Sequence, residues 1–279
     1  MAARLAAIAA ATERVPTMAY ETVKVDIDAR GVATLTFNRP DKHNAMNTQF
    51  CDDMHAVLAD LAADRAVRVI VTTGAGESFS AGGDLAWMRA QADSDRAGRM
   101  SEARHFALML RRLDQMPKPV VARVNGPAYG GGIGMISVAD IAIGADHCRF
   151  GLTEVRLGLI PATISPYVLA RIGPAHARRW FINGRFFDAA AAQGMGLLHE
   201  VVAADDLDAA VEREVVAMLN AAPTAISLSK GLITHMTAHP AEDPLDFTIG
   251  QLADAWETEE AEAGINAFFA KQNPPWRKP

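Results

Sequence analysis

Twice between residues 67 and 137 the chain passes from a short β-rich run through a glycine-containing loop into helix, and a further β-rich run follows at 140–144. Residues 67–73 are nearly all β-branched, as suits a strand covered on both faces. The loop 74–83 leads to a helix around 85–89, and a second helix covers 100–113. Pro117 and Pro119 end that helix ahead of a strand at 120–124, whose loop 125–132 runs into a short helix ending near Ser137. Strands that alternate with helices in this way favour parallel pairing through helical crossovers, so the pattern predicts an α/β architecture.

Two β-rich segments at 23–28 and 32–37, joined by a turn at Ala29-Arg30-Gly31, precede this core. Asn47 can cap a helix whose apolar residues Phe50, Met54, Val57, Leu58 and Leu61 share one face. From about Asp205 the strands stop, and 207–219, 225–236 and 245–269 read as helices punctuated by Pro223, Pro240 and Pro244. The expected organisation is an extension at 1–17, an α/β core at 18–204 and a helical part at 205–279. That last part is too small to stand alone and should pack on the core or on another subunit. Residues 1–17 are alanine-rich, with Arg4, Arg14 and a single acid, Glu13. A targeting peptide and an extension ahead of a start at Met18 both fit that composition, and the extension is preferred.

Charge and cysteine content narrow the function. A net charge of −6 over 279 residues, with no run of like charge, disfavours a nucleic-acid binder. Cys51 and Cys148 cannot build a disulfide framework, and two free thiols fit a reducing cytoplasm. No stretch of roughly 18 uninterrupted apolar residues exists, so no membrane span is expected.

Three segments carry residues suited to chemistry. The first is Ser80-Ala81-Gly82-Gly83-Asp84-Leu85, and the second Asn125-Gly126-Pro127-Ala128-Tyr129-Gly130-Gly131-Gly132. Glycine at the start of a helix lets backbone approach a ligand and leaves N–H groups unpaired; two such donors on one oxygen make an oxyanion hole. A tight strand-to-helix turn explains either loop taken singly, and neither matches a nucleotide-binding glycine motif. In the third segment, Phe150 to Pro161, Glu154 sits in an otherwise apolar run where an ionised carboxylate is costly unless paired or functional. A salt bridge to Arg156 or another arginine is what that segment alone favours. His235 and His239 have i, i+4 spacing but no accompanying glutamate or third ligand, so no metal site is expected. Ser227 and Lys230 fit S-x-x-K without its companion motifs. Met88, Met109 and Met116 read as core filler.

In this order the three segments resemble the crotonase superfamily, the enoyl-CoA hydratase/isomerase family. The resemblance runs from about Tyr20 to Trp276 and includes Asn38-Arg39-Pro40, Asn44-Ala45-Met46-Asn47, Asp140-Ile141 and the run from Gly196 to Val202. It implies a ββα spiral core with a C-terminal helical trimerisation region, and a homotrimer or a hexamer built as a dimer of trimers. It also implies an acyl-CoA substrate whose thioester oxygen is held by the N–H groups of Gly83 and Gly131, with coenzyme A entering as part of the substrate and no separate cofactor. Glu154 falls at one of the two glutamates that hydratases of this family place around the attacking water. The other falls at Gly134, a departure from the pattern. By neighbourhood Ala81, Gly82, Asp84, Leu85, Tyr129 and Gly130 would line the thioester site, with Thr163 and Ser165 as further polar candidates. Lys271, beside Phe269, matches a segment that often touches coenzyme A.

Within the family, the run Pro161-Ala162-Thr163-Ile164-Ser165-Pro166-Tyr167 looks like a bacterial subgroup of methylglutaconyl-CoA hydratases of leucine catabolism. Such a substrate carries a distal carboxylate and would want an arginine or polar partner; Arg89, Arg156 and Arg171 are unranked candidates, and a solvated surface arginine is the preferred reading of each. A cytoplasmic lyase adding water to an α,β-unsaturated acyl-CoA is the expected function. A Δ3,Δ2-enoyl-CoA isomerase using Glu154 alone, and a catalytically silent CoA-binding assembly protein, are the rivals.

Overall fold

The computed structural model describes residues 20–238 and 243–277. The extension at 1–17 and His239 lie outside the described residues. Strand β1 (Val23–Ile27) and strand β2 (Val32–Phe37) form an antiparallel hairpin. Its turn uses Gly31 at φ +86°, where a Cβ would stand 2.1 Å from the Ala66 carbonyl oxygen. From β2 onward the main sheet is parallel, in the order β1-β2-β3-β4-β6-β9, through β3 (Val69–Gly74), β4 (Val120–Val124), β6 (Ile141–Ala145) and β9 (Glu200–Val202). All six residues of β3 are buried, as its β-branched composition requires.

Helix α1 (Thr48–Ala63) begins where Asn47 Oδ1 accepts from Phe50 N at 2.9 Å, and it buries Phe50, Met54, Val57, Leu58 and Leu61. Phe50 and Phe79 meet the Phe37 ring edge-on, with centroids 5.4 and 5.2 Å away. Helix α2 (Leu85–Asp93) buries none of its residues, whereas α3 (Arg96–Asp114) is seated by Met109, Leu110 and Leu113.

A smaller sheet joins β5 (Ala128–Tyr129), β7 (Arg149–Gly151) and β8 (Phe186–Asp188) beyond the C-terminal ends of β3 and β4. The short helix α4 (Gly131–Ser137) follows β5 directly. Loops leaving the carboxyl ends of neighbouring parallel strands converge, which is where open α/β sheets place their ligands.

Three findings differ from the sequence reading. Helix α5 (Ser165–Asn183) occupies a stretch to which no element was assigned, because Gly173 (φ +72°, ψ 163°) and Pro174 interrupt its apolar period. The small helix α6 (Ala189–Gly194) and helix α7 (Leu207–Leu219) complete the core. Beyond α8 (Pro223–Ala238), the single helix expected at 245–269 is two: α9 (Leu245–Trp256) and α10 (Glu259–Phe269). Thr258 ends the first and caps the second, its Oγ1 accepting from Ala261 N at 3.1 Å. Met109 and Met116 are core, but Met88 lines a cleft and is not filler.

The C-terminal helices are tied to the core by few polar links. Arg68 donates to the carbonyls of Leu219 and Ala221, Trp276 Nε1 to Asn220 O at 3.1 Å, and Lys230 to Asp140 at 2.6 Å. Among the described residues, no single helix is long and apolar enough to cross a membrane.

Candidate active site

The first glycine loop is stitched by backbone to Met46, and the second to the first. Met46 N donates to Gly82 O at 2.7 Å and Asp84 N to Met46 O at 2.9 Å, while Tyr129 N donates to Ser80 O at 2.9 Å. Ser80 Oγ, fully buried, donates to Asn44 O and accepts from Gly82 N. The approach is too close for side chains. A Cβ on Gly82, at φ +86°, would stand 2.7 Å from Tyr129 O and 3.5 Å from Gly131 N.

Two donors are left over. Gly131 opens α4, where no preceding carbonyl is in helical register, and Gly83 lies between backbone bonds made by its neighbours. Among the described residues neither N–H donates to any protein group. Both glycines line one cleft of about 340 Å³.

Glu154 lies in the wall of that cleft, at the start of a 3₁₀ turn (Glu154–Leu157) just after β7. Its Oε1 is 3.0 Å from where a Cβ on Gly130 would stand, so glycine at 130 (φ +48°) makes room for the carboxylate. Its Oε2 is buried without a hydrogen-bond partner. Burial pushes its pKa up, opposed only by its own backbone N–H. The salt bridge to Arg156 does not form; that guanidinium lies 4.7 Å over the Phe186 ring.

Gly134 is buried in α4, and a Cβ there would stand 2.4 Å from Ile164 Cγ2. Ile164 therefore fills the space into which a side chain at 134 would grow. Apolar groups dominate the remaining lining, among them Met46, Met88, Phe106, Leu157 and Ile160.

The other residues singled out in the sequence divide. Ala81, Gly82, Leu85, Tyr129, Gly130 and Thr163 line the cleft. Asp84 does not: it caps α2, accepting from Ala86 and Trp87 N–H groups, and pairs with Arg39 at 2.9 Å. Burial pushes its carboxyl up, but these donors outweigh it and hold the group below the usual carboxylate range. Ser165 spends its hydroxyl on Ala162 O at 2.8 Å, outside the cleft. Lys271 is exposed beyond α10 at φ +54° and takes no part in the cleft of its own chain.

None of the three candidate arginines lines the cleft. Arg89 pairs with Asp93 on the exposed face of α2, Arg156 covers Phe186, and Arg171 donates to the carbonyls of Ala139 and Leu197. No lysine, arginine or histidine is among the lining residues described.

Glu102 and Trp87 were missed. Glu102 lines the cleft from α3, with Oε2 accepting from Trp87 Nε1 at 2.9 Å and Thr48 Oγ1 at 2.8 Å. A glutamate on an amphipathic helix gives no sequence signal, because both partners come from other elements. Cys51 also lines the cleft, but burial pushes its thiol up to about 12, so it is no nucleophile. Chemically, two unpaired N–H groups beside a desolvated carboxylate can polarise a carbonyl oxygen and move a proton at the adjacent carbon.

Comparisons with known proteins show the family and the fold. Residues 28–279 match the family model described as enoyl-CoA hydratase/isomerase. A putative enoyl-CoA hydratase of Thermus thermophilus is 32% identical over 259 residues, covering 90% of this chain and 99% of its own. The 1,2-epoxyphenylacetyl-CoA isomerase of Escherichia coli is 32% identical over 256 residues, covering 88% of this chain and 94% of its own. Among solved structures, an enoyl-CoA hydratase from Shewanella pealeana superposes with a TM-score of 0.89 at 36% identity, covering 92% of this chain and 96% of the other.

Proposed function

The chain belongs to the enoyl-CoA hydratase/isomerase family and has the crotonase fold, and from that premise we propose that it adds water across the α,β double bond of an enoyl-CoA. The observation that carries this reading is the Glu154 carboxylate, with Oε2 buried and without a hydrogen-bond partner, in one cleft with the free N–H groups of Gly83 and Gly131. The thioester oxygen lies between the two donors. Glu154 takes a proton from water as its oxygen bonds to the β-carbon, and the π electrons move onto the thioester oxygen as an enolate. The protonated Glu154 then delivers that proton to the α-carbon, so one carboxyl group serves both halves of the addition. Each N–H donor is worth about 3 kcal/mol to the enolate. A second cavity beside the first loop is lined by Lys42 and by Arg39, which is already paired with Asp84, together with Asp41, so Lys42 is the cation it leaves for a phosphate of coenzyme A.

The acyl group is the finer question. A methylglutaconyl group would bring a carboxylate into a cleft that already holds Glu102 and Glu154, with no cation among the described residues that line it. The apolar lining supports an uncharged acyl group instead. The packing of Ile164 against Gly134 favours a second reading. With one carboxylate, Glu154 can remove an α-proton from a 3-enoyl-CoA and return it to the γ-carbon through the same enolate, moving the double bond without adding water.

Turnover of crotonyl-CoA, methylglutaconyl-CoA and a 3-enoyl-CoA, with products identified by mass spectrometry and chromatography, tests these readings. The expected result is gain of one water by crotonyl-CoA and little turnover of the carboxylated substrate. An unchanged mass with a displaced double bond makes the protein an isomerase. Clear binding without turnover of any of the three overturns the enzyme reading.

The reading extends to a cytoplasmic homotrimer or dimer of trimers. Two buried free cysteines support the compartment, and the apolar residues left exposed on α8, α9 and α10 support the assembly.

A further inference from the structure

Side chains of the cleft wall stand close to the paired glycines. A Cβ on Gly83 would be 3.5 Å from Met88 Cγ and Sδ and 3.7 Å from Trp87 Cζ3, and one on Gly131 would be 3.2 Å from Phe106 Cζ and 3.3 Å from Met46 Sδ. Trp87 is on α2 and Phe106 is on α3, so the two walls belong to different helices. Glu102 joins them. It lies four residues before Phe106, on the same face of α3, and accepts the Trp87 indole N–H at 2.9 Å and the Thr48 hydroxyl at 2.8 Å.

Helix α2 has little else to hold it. It buries no residue. Its start is held by the Asp84 cap, by the Asp84 pair with Arg39 and by the backbone bonds of Gly82 and Asp84 to Met46, and its far end by Arg99, which donates to the carbonyls of Gln91 and Ala92. Between these, the bond from Trp87 to Glu102 links the first turn of α2 to α3, a helix anchored in the core by Met109, Leu110 and Leu113.

We propose that Glu102 is a positioning residue for the reaction: through Trp87 it sets where the Gly83 N–H lies relative to the Gly131 N–H, and hence how strongly the pair polarises a thioester oxygen. The proposal rests on the oxyanion role given to these glycines above. Preorganised donors act by being in place before charge develops, so a small displacement of one weakens the enolate while ground-state binding through coenzyme A is largely kept. The Trp87 indole, followed by the Thr48 hydroxyl, holds the Glu102 carboxyl below the usual range against the opposing effect of burial, so it stays an acceptor at neutral pH.

The test uses the carbonyl itself. Butyryl-CoA labelled with carbon-13 at the thioester carbon has no double bond to react. The fall in its C=O stretching frequency on binding, read by difference infrared spectroscopy, reports polarisation directly. Glu102→Ala is expected to lose about half of the wild-type downshift and to lower kcat for the enoyl-CoA about tenfold, with KM changed much less. Trp87→Phe, which keeps a ring but lacks the N–H, should do the same and remains decisive should Glu102→Ala fail to fold. Glu102→Gln, which retains an acceptor oxygen, should restore most of both. A full downshift in the alanine and phenylalanine variants overturns the proposal, as does a glutamine variant as impaired as alanine. A wild-type protein that binds butyryl-CoA with no downshift sinks the oxyanion reading itself, and this proposal with it.

Discussion

Glu154 keeps a carboxylate where, among the described residues, no cation lines the cleft and its Oε2 is buried without a hydrogen-bond partner. Catalysis and stability therefore pull in opposite directions at this residue. Glu154→Gln should lower kcat by about 10²–10⁴-fold while binding of the acyl-CoA persists. In the wild type, kcat/KM should fall with acid along a limb lying above the ordinary glutamate range, because the base must be ionised and burial raises its pKa. The stability effect has the opposite sign. A raised folded-state pKa means the ionised form is disfavoured by folding, a penalty absent below the unfolded value of about 4.3 and growing as pH rises through the folded one. Glu154→Gln should consequently melt higher than wild type at pH 7–8, with the difference vanishing near pH 4; a lower melting point at neutral pH would refute the account of burial. Glu154 stood out in the sequence as a lone acid in an apolar run, but that run alone favoured a salt bridge, and its role as acid/base came from the family resemblance. Gly134 was legible only through the family resemblance, and that Ile164 fills its space was not, since nothing local relates two residues thirty positions apart.

At the level of elements, the first N–H of α4 makes the sharpest demand. Proline is tolerated at the first position of a helix, where the missing N–H had no helical partner. Gly131→Pro should therefore keep a folded protein, judged by circular dichroism and melting, yet lose about 100-fold or more in kcat by deleting one oxyanion donor. Near-normal turnover in a folded variant would remove Gly131 from the mechanism. Elements with a strong single period were readable: α1 from Asn47 and its apolar face, β3 from its β-branched run, and α7 over the range expected. Those whose limits depend on backbone geometry were not. Helix α5 is broken by the positive φ of Gly173, and the stop between α9 and α10 rests on one threonine cap inside an otherwise continuous helical pattern. The short strands β5, β7 and β8 of two or three residues carry no period at all, yet they bring Glu154 to the glycine loops.

On the scale of the whole molecule, the C-terminal helices are the part that one chain leaves unfinished. Helices α8, α9 and α10 bury none of their residues, while Ile233, Leu245, Ile249, Leu252 and Trp256 are each more than half exposed. So much apolar surface on neighbouring helices is unfavourable in water, and its burial at about 25 cal/mol per Å² would drive the association of subunits proposed above. Light scattering coupled to size-exclusion chromatography should give three or six chains for the wild type. Ile249→Glu together with Leu252→Glu places charge on side chains that are 58% and 63% exposed in the single chain, so the core should fold as before. The double variant should elute with the mass of one chain, because two carboxylates cannot be desolvated in a packed interface without partners. An unchanged assembly would mean that α9 faces solvent and that subunits meet elsewhere. Loss of folded monomer as well as trimer would show instead that these helices hold the chain itself together. Lys271, exposed at the end of α10, gives a further reading of the same experiment. If it reaches coenzyme A across a subunit boundary, dissociation should weaken acyl-CoA binding even though every residue lining the cleft is untouched.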